Sequence, residues 1–519
     1  MLMDVSRVVL VGIDGASYRL IDPLVRAGRL PNIARFIERG FHGVLRSTVP
    51  PVSPVAWTSM VTGALPCRHG IFDFTGKVPG AYDFRVNTAQ NRLTKPLWTH
   101  LSEAGKRVLV MGVTMTYPPD PVNGYMVSGL GAPPQAETRS LVHPPEFAAM
   151  VNEPGPYRHV PEANLRALSD SDAEKDKYLA GIDEQIRHRV ALFRSMWARE
   201  KFDFSMLFFL DTDGASHYYW KYMDDPASRF SGAIARVYEA VDRAVGEVLD
   251  IVGADASVML ASDHGFGPLR RVLFLNNWLG ERGYLVFGKR GLRALVRALR
   301  GMPRTEIDWS RTRAYFSGTI GNIFVNLKGR EPEGTVEPSE YDALCETLKR
   351  EFLEFRDPES GEQVIEAVYT RAEICPSGPP SAPDLVLTFR PGFSVVGDEM
   401  RLHGLRDKGR VMDDSFNWSG IHEAEGIVMG LGEPFREGGT RGEADIVDIS
   451  PTILYLLGVP VPRALDGKVM AEAVVDAYRE AHAVQMGDAS AEGSGGAARL
   501  SPEELDQISE QLRNLGYIE

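Results

Sequence analysis

The chain has 519 residues, 57 basic and 70 acidic, for a net charge of −13. That balance argues against a surface built to follow nucleic-acid duplex phosphates, which needs clustered lysine and arginine. No run reaches the ~18 apolar residues of a membrane span. Cys67, Cys345 and Cys375 are far apart with no C-x-x-C pair, so neither a disulfide framework nor a thiolate zinc site is indicated. The first apolar run, 8–13, is too short for a signal segment. A reduced, soluble, cytoplasmic protein is the expectation.

In chain order, 8–13 reads as a buried strand that ends at Asp14, in Val-Gly-Ile-Asp-Gly. The segment 48–63 runs from a proline-rich loop into a helix, with Ser53 as N-cap and Pro54 at its first position. A second strand is expected at 108–113, followed by a polar, proline-rich insert over about 131–176. The helix at 177–200 places Leu179, Ile182, Ile186, Val190, Phe193 and Trp197 at three- and four-residue steps. Strand 205–210 runs into Asp211 and Asp213, with His217 four residues further on. A helix at 232–251 leads to strand 257–261 and then to Asp263-His264-Gly265. A second insert, about 288–361, carries a basic helix and charged turns. Strands follow at 385–389 and 427–431, with His422 shortly before the latter. Apolar runs alternating with helices predict an α/β class fold, an α/β/α sandwich around a mostly parallel sheet with cap inserts.

This catalytic domain is expected to span 1–484. Residues 485–499 read as a flexible Gly/Ser/Ala linker. In 500–519, Ser501-Pro502-Glu503-Glu504 offers a capping box, and Leu505, Ile508, Leu512 and Leu515 form an apolar stripe. That amphipathic helix docks on its own body or on a partner, which makes a homodimer worth testing.

Open α/β sheets bind ligands at the carboxyl ends of their strands, where Asp14, Asp213, His217, Asp263 and His264 fall; His422 fits less tightly. Singly, each has a bland reading: a turn residue, a solvated helix start, or a histidine satisfied by a nearby acid. Gathered at one edge, these side chains would be unsatisfied without a cation. Mixed Asp/His ligation suits zinc or manganese rather than calcium. Six side chains exceed one tetrahedral shell, so two ions fit better than one. Asp211 reads as a helix cap outside the site. Ser53 reads as a cap or as a nucleophile at a helix N-terminus, where amides and the dipole favour an anion. No G-x-G-x-x-G follows the first strand, which removes a dinucleotide-binding reading.

Together, Ile-Asp-Gly, Ser-Pro-x-x-x-Thr-x-x-x-Thr-Gly-x-x-Pro-x-x-His-Gly-Ile, Asp-x-x-x-His, Ser-Asp-His-Gly and Gly-x-His resemble the alkaline phosphatase superfamily. The order is most similar to its type I phosphodiesterase/nucleotide pyrophosphatase branch. The resemblance implies a two-metal hydrolase of small phosphate esters, acting through a phosphoseryl intermediate on Ser53. Asp14, Ser53, Asp263 and His264 would surround one ion, most simply Zn2+ with Mn2+ as the alternative. Asp213, His217 and His422 would hold the other. It also implies that His69, Asp445 and Asp448 are scaffolding. The branch's phosphate-contacting asparagine is absent from the helix after Ser53, where Ala56 and Trp57 stand. Arg270 and Arg271, just after Asp-His-Gly, are candidates for the cation with which phosphomonoesterases hold a dianionic phosphate, but read more simply as surface arginines. A phosphomonoesterase or phosphomutase of the same superfamily, or a non-catalytic metal-binding scaffold, are the alternatives. The Cys/Ser-x-Pro-x-Arg signature of sulfatases is missing.

Overall fold

Nine strands form the main sheet: Val8–Ile13 (β1), Phe41–Arg46 (β2), Val108–Met111 (β3), Gly124–Val127 (β4), Val142–His143 (β5), Phe204–Phe209 (β6), Ser257–Ala261 (β7), Glu425–Leu431 (β8) and Gly442–Asp445 (β9). Their order across the sheet is β9-β2-β8-β7-β1-β6-β3-β4-β5. The computed structural model describes residues 5, 7–161, 171–288, 307–395, 411–413, 418–438, 441–488, 490, 492–493 and 500–518. Strands β1, β3, β6 and β7 are buried at every position, as their predominantly apolar sequences suit strands covered on both faces. They pair in parallel, β3 with β6, β6 with β1 and β1 with β7. Helices cover both faces, which makes this the expected α/β/α sandwich. They include Ser53–Thr62 (α1), Asp172–Arg199 (α2), Asp211–Tyr219 (α3) and Ala233–Val252 (α4).

Two of the strands expected from sequence depart from the parallel reading. β8 runs antiparallel to both neighbours, β2 and β7. Leu385–Phe389 is not in this sheet at all: it pairs antiparallel with Asn322–Val325 and Ile365–Thr370 in a separate four-stranded sheet. An apolar run reports burial on both faces, not strand direction or sheet membership.

The chain divides into two units. The first comprises Met1–Ile71, Asn87–Gly267 and Ser419–Ile508, and holds the nine-stranded sheet. The second comprises Phe72–Val86, Pro268–Trp418 and Ser509–Glu519. Its four-stranded sheet packs with Tyr341–Glu354 around Trp278, Leu348 and Phe352, the indole of Trp278 stacking on Phe352 at 4.3 Å. The basic helix expected in the 288–361 insert falls on 289–306, outside the described residues, as do 162–170 of the first insert and much of the 485–499 linker. Cys345 is buried and free, whereas Cys67 and Cys375 are each disulfide-bonded, so the expectation of three reduced cysteines is corrected. Local spacing motifs alone do not show which cysteines are oxidised.

The C-terminal helix, Pro502–Asn514 (α5), begins with the expected capping box. Glu504 N donates to Ser501 Oγ (3.2 Å) and Ser501 N to Glu504 Oε2 (2.8 Å). Tyr117 Oη donates to Glu504 Oε1 at 2.7 Å. Ile508, Leu512 and Leu515 are buried within the chain. The apolar stripe is therefore already covered, and the homodimer expected through it finds no support. Among the described residues, no helix is long and apolar enough to cross a membrane.

Candidate active site

Strand register brings the site together. Ile13 of β1 lies opposite Phe209 of β6, and Gly12 opposite Ala261 of β7. Asp14, the first turn of α3 and Asp263 therefore emerge side by side at the carboxyl edge. Val428 of β8 lies opposite Ala261, so the antiparallel direction of β8 delivers His422, three residues before its start, to the same edge. Arg46 of β2 faces Glu425 of β8, and the chain leaving β2 carries Ser53 there.

Two groups of ligating atoms result. Asp213, His217 and His422 offer one atom each, all within 4.8 Å of one another, and so do Asp14, Asp263 and His264. His422 Nε2 lies 3.0 Å from His217 Nε2 and 3.1 Å from Asp213 Oδ1. In the second group, His264 Nε2 lies 3.2 Å from Asp263 Oδ2 and 3.5 Å from Asp14 Oδ1. It is also 3.9 Å from Asp213 Oδ1, which brings the groups together.

Each imidazole is held by its other nitrogen. Nδ1 of His217 donates to Gly420 O (3.0 Å), Nδ1 of His264 to Gly265 O (3.1 Å) and Nδ1 of His422 to Pro51 O (3.0 Å). A carbonyl only accepts, so the proton sits on Nδ1 and the Nε2 lone pair of a neutral ring points into the site. Burial holds His264 well below the usual imidazole range, and His422 below it, so these two rings are neutral. The Nε2 lone pairs then face carboxylate oxygens and one another. Burial, helped by the Asp213 carboxylate and opposed by the Gly15 N–H, pushes Asp263 up to about 8. Burial, then Asp263 and Asp213, raise Asp14 well above the carboxylate range. Oδ2 of Asp263 is buried and accepts no hydrogen bond among the described residues. An orphan carboxylate oxygen beside inward-facing lone pairs is a donor set that divalent cations complete, and its Asp/His composition suits zinc or manganese.

An aromatic wall lines the imidazoles. Phe266 packs edge-on to His217 with centroids 4.8 Å apart, and contacts the rings of His422 and His264 as well. Its closeness explains Gly15, whose φ is +68° and where a Cβ would lie 2.8 Å from Phe266 Cδ2.

Ser53 is not the helix cap. The cap is Val52, in an extended conformation, and Ser53 is the first residue of α1. Its hydroxyl, 1% exposed, is 3.4 Å from Asp14 Oδ1 and 3.3 Å from His264 Nε2. The oxygen that would have capped the helix instead faces the second ligand group.

Asp211 also does not cap α3; Leu210 does. Asp211 Oδ2 accepts from Arg189 Nη1 of α2 at 2.7 Å, both side chains buried. Arg189→Met should strand that carboxylate and destabilise the protein by about 3–5 kcal/mol in urea denaturation. His69 is internally satisfied, its Nδ1 accepting from Ile71 N and its Nε2 facing Ser59 Oγ at 2.8 Å. Asp448 accepts from the backbone of Asp445 and Lys468, and Asp445 pairs with Arg46. Arg270 and Arg271 are engaged in ion pairs with Glu362 and with Asp357 and Glu359 in the second unit.

Sequence reasoning passed over Trp57. Its indole Nε1 donates to Asp14 Oδ2 at 2.9 Å. The available signal was its place four residues after Ser53, on the same face of α1.

No curated protein matches the chain. Among solved structures, murine ectonucleotide pyrophosphatase/phosphodiesterase 5 is similar at 14% identity and TM-score 0.51, covering 90% of this chain and 100% of that one. An inactive form of the same murine protein, in complex with AMP, gives 13% and 0.52, covering 90% and 98%. At such identity these speak for the fold. A family model described as type I phosphodiesterase / nucleotide pyrophosphatase matches residues 8–410, which include every predicted ligand except His422. The chain thus belongs to the type I phosphodiesterase / nucleotide pyrophosphatase family and is a hydrolase acting on phosphate ester bonds.

Proposed function

We propose that this protein cleaves small phosphodiesters or nucleotide pyrophosphates at two divalent cations, with Ser53 as nucleophile. The supporting observation is the Ser53 hydroxyl, freed from capping and facing Asp14 and His264. Asp14, Asp263 and His264, with Ser53, would hold one ion, and Asp213, His217 and His422 the other. Zn2+ is the favoured identity and Mn2+ the alternative. When bound, such ions activate a hydroxyl nucleophile and neutralise charge on attacking and leaving oxygens.

The chain's own residues do the rest. Ser53 Oγ bonds to phosphorus as the bond to the leaving oxygen breaks, giving a phosphoseryl ester that water then cleaves. The three Nδ1–H to carbonyl bonds fix the imidazole planes, so ligand geometry is set before substrate arrives. Phe266 packs against the imidazoles and covers their apolar edges. A nucleotide fits the family and the AMP bound by the murine neighbour. With zinc- or manganese-loaded protein, a generic phosphodiester should be hydrolysed faster than the matching monoester. Preference for the monoester would move the assignment to a phosphatase or mutase, and inertness towards both would favour a scaffold.

A further inference from the structure

We propose that Trp57 is a positioning residue of this active site: its indole N–H aims the Asp14 carboxylate and ties the nucleophile's helix to the ligand's strand. The inference rests on the reading of Asp14 as a metal ligand.

Asp14 has two oxygens, and the structure divides them. Oδ2 accepts from Trp57 Nε1 at 2.9 Å, while Oδ1 faces Ser53 Oγ and His264 Nε2 at 3.4 and 3.5 Å. An indole nitrogen only donates, so this bond fixes which oxygen remains for a cation. Trp57 is fully buried, where an unmet N–H is costly. With Oδ2 occupied, Asp14 is left to bind through a single oxygen on the Ser53 side.

A second, independent feature is built around the ring. Gly12 interrupts the apolar β1 two residues before Asp14. A Cβ there would lie 2.7 Å from Trp57 Cη2 and 3.1 Å from Cζ3. Glycine inside a strand weakens it unless something must approach closely, and here the indole does. Phe208 of β6 closes the other side, edge-on with centroids 4.8 Å apart. The ring is thus clamped between β1 and β6 by shape, and its one polar atom is spent on Asp14. Because Trp57 sits one turn after Ser53 on α1, nucleophile and ligand are held by one rigid element.

The test is Trp57→Phe, which keeps an aromatic ring and deletes the donor. Metal affinity is read by calorimetry on the metal-free protein, with zinc as the probe. One of two binding events should weaken about 10–100-fold, while the event lost in a His217→Ala control should be unchanged. kcat should fall with KM constant, and excess zinc should restore it. A merely structural role would lower the melting temperature without weakening one ion selectively. Equal affinities for both ions in Trp57→Phe and wild type would overturn the proposal. If Trp57→Phe does not fold, Gly12→Ala decides: its methyl displaces the ring and should weaken the same event, and unchanged binding overturns the proposal. If wild type binds no zinc, the metal reading itself fails, a distinct result.

Discussion

Ser53→Ala is expected to lower turnover by about ten-thousand-fold or more while leaving the bound metal nearly unchanged. Removing a covalent nucleophile costs on the order of 10⁴–10⁶ in kcat where the chemistry depends on it. The three Asp14-group side chains remain, and the hydroxyl contributes only one contact at 3.4 Å to Asp14 and one at 3.3 Å to His264. Packing should tolerate the change, because Ser53 makes no side-chain cap and Val52 and Pro54 set the start of α1. The measurement pairs steady-state hydrolysis of a phosphodiester with elemental analysis of the same preparation. Full activity in the variant would remove Ser53 from the mechanism. Loss of activity together with loss of one ion would make it a ligand first and leave the nucleophile unassigned.

That prediction was reachable from sequence because β1, β6 and β7 are largely apolar, are buried at every position, and lead into residues no buried strand would carry. Asp14, Asp213 and Asp263 are legible for this reason: a parallel sheet covered on both faces leaves only its edge for acids. His422 was less legible, because it precedes a strand instead of following one. Only the antiparallel direction of β8 brings it to the same edge, and nothing in an apolar run encodes direction. Ser53 also read as a helix cap because Ser-Pro satisfies the local capping rule, whereas the helix begins one residue earlier than that rule implies, at Ser53 itself, with Val52 as its cap. Local preference gave way there to placement of the hydroxyl. The second unit was hidden for another reason. It is assembled from three separated segments, and its strand Leu385–Phe389 has the same apolar texture as the strands of the main sheet. Edge strands such as β5 and β9 are too short for a period-two pattern to declare them.

Asp263→Asn should separate metal binding from folding more cleanly than any alanine variant. Oδ1 of Asp263 accepts from Gly15 N at 3.2 Å, a role that an amide oxygen keeps. Oδ2 is buried, accepts no hydrogen bond among the described residues and lies 3.2 Å from His264 Nε2. That ring's proton sits on Nδ1, so the N–H of the introduced amide would meet a lone pair. The metal-free variant should therefore be at least as stable as metal-free wild type, since a buried carboxyl pushed up to about 8 is replaced by a neutral isostere. The loaded state should behave oppositely. Losing a charged ligand removes an ion that Asp14 and His264 alone cannot hold, and with it the stabilisation that binding adds, about 2.7 kcal/mol at a hundred times Kd. Turnover should fall by more than the roughly 10²–10³ typical of losing one electrostatic donor. Thermal melts with and without zinc, plus metal content per chain, read both effects. A variant that melts far below wild type without metal would make Asp263 a scaffold residue, and one that keeps two ions would show that the Asp14 group is not a metal site.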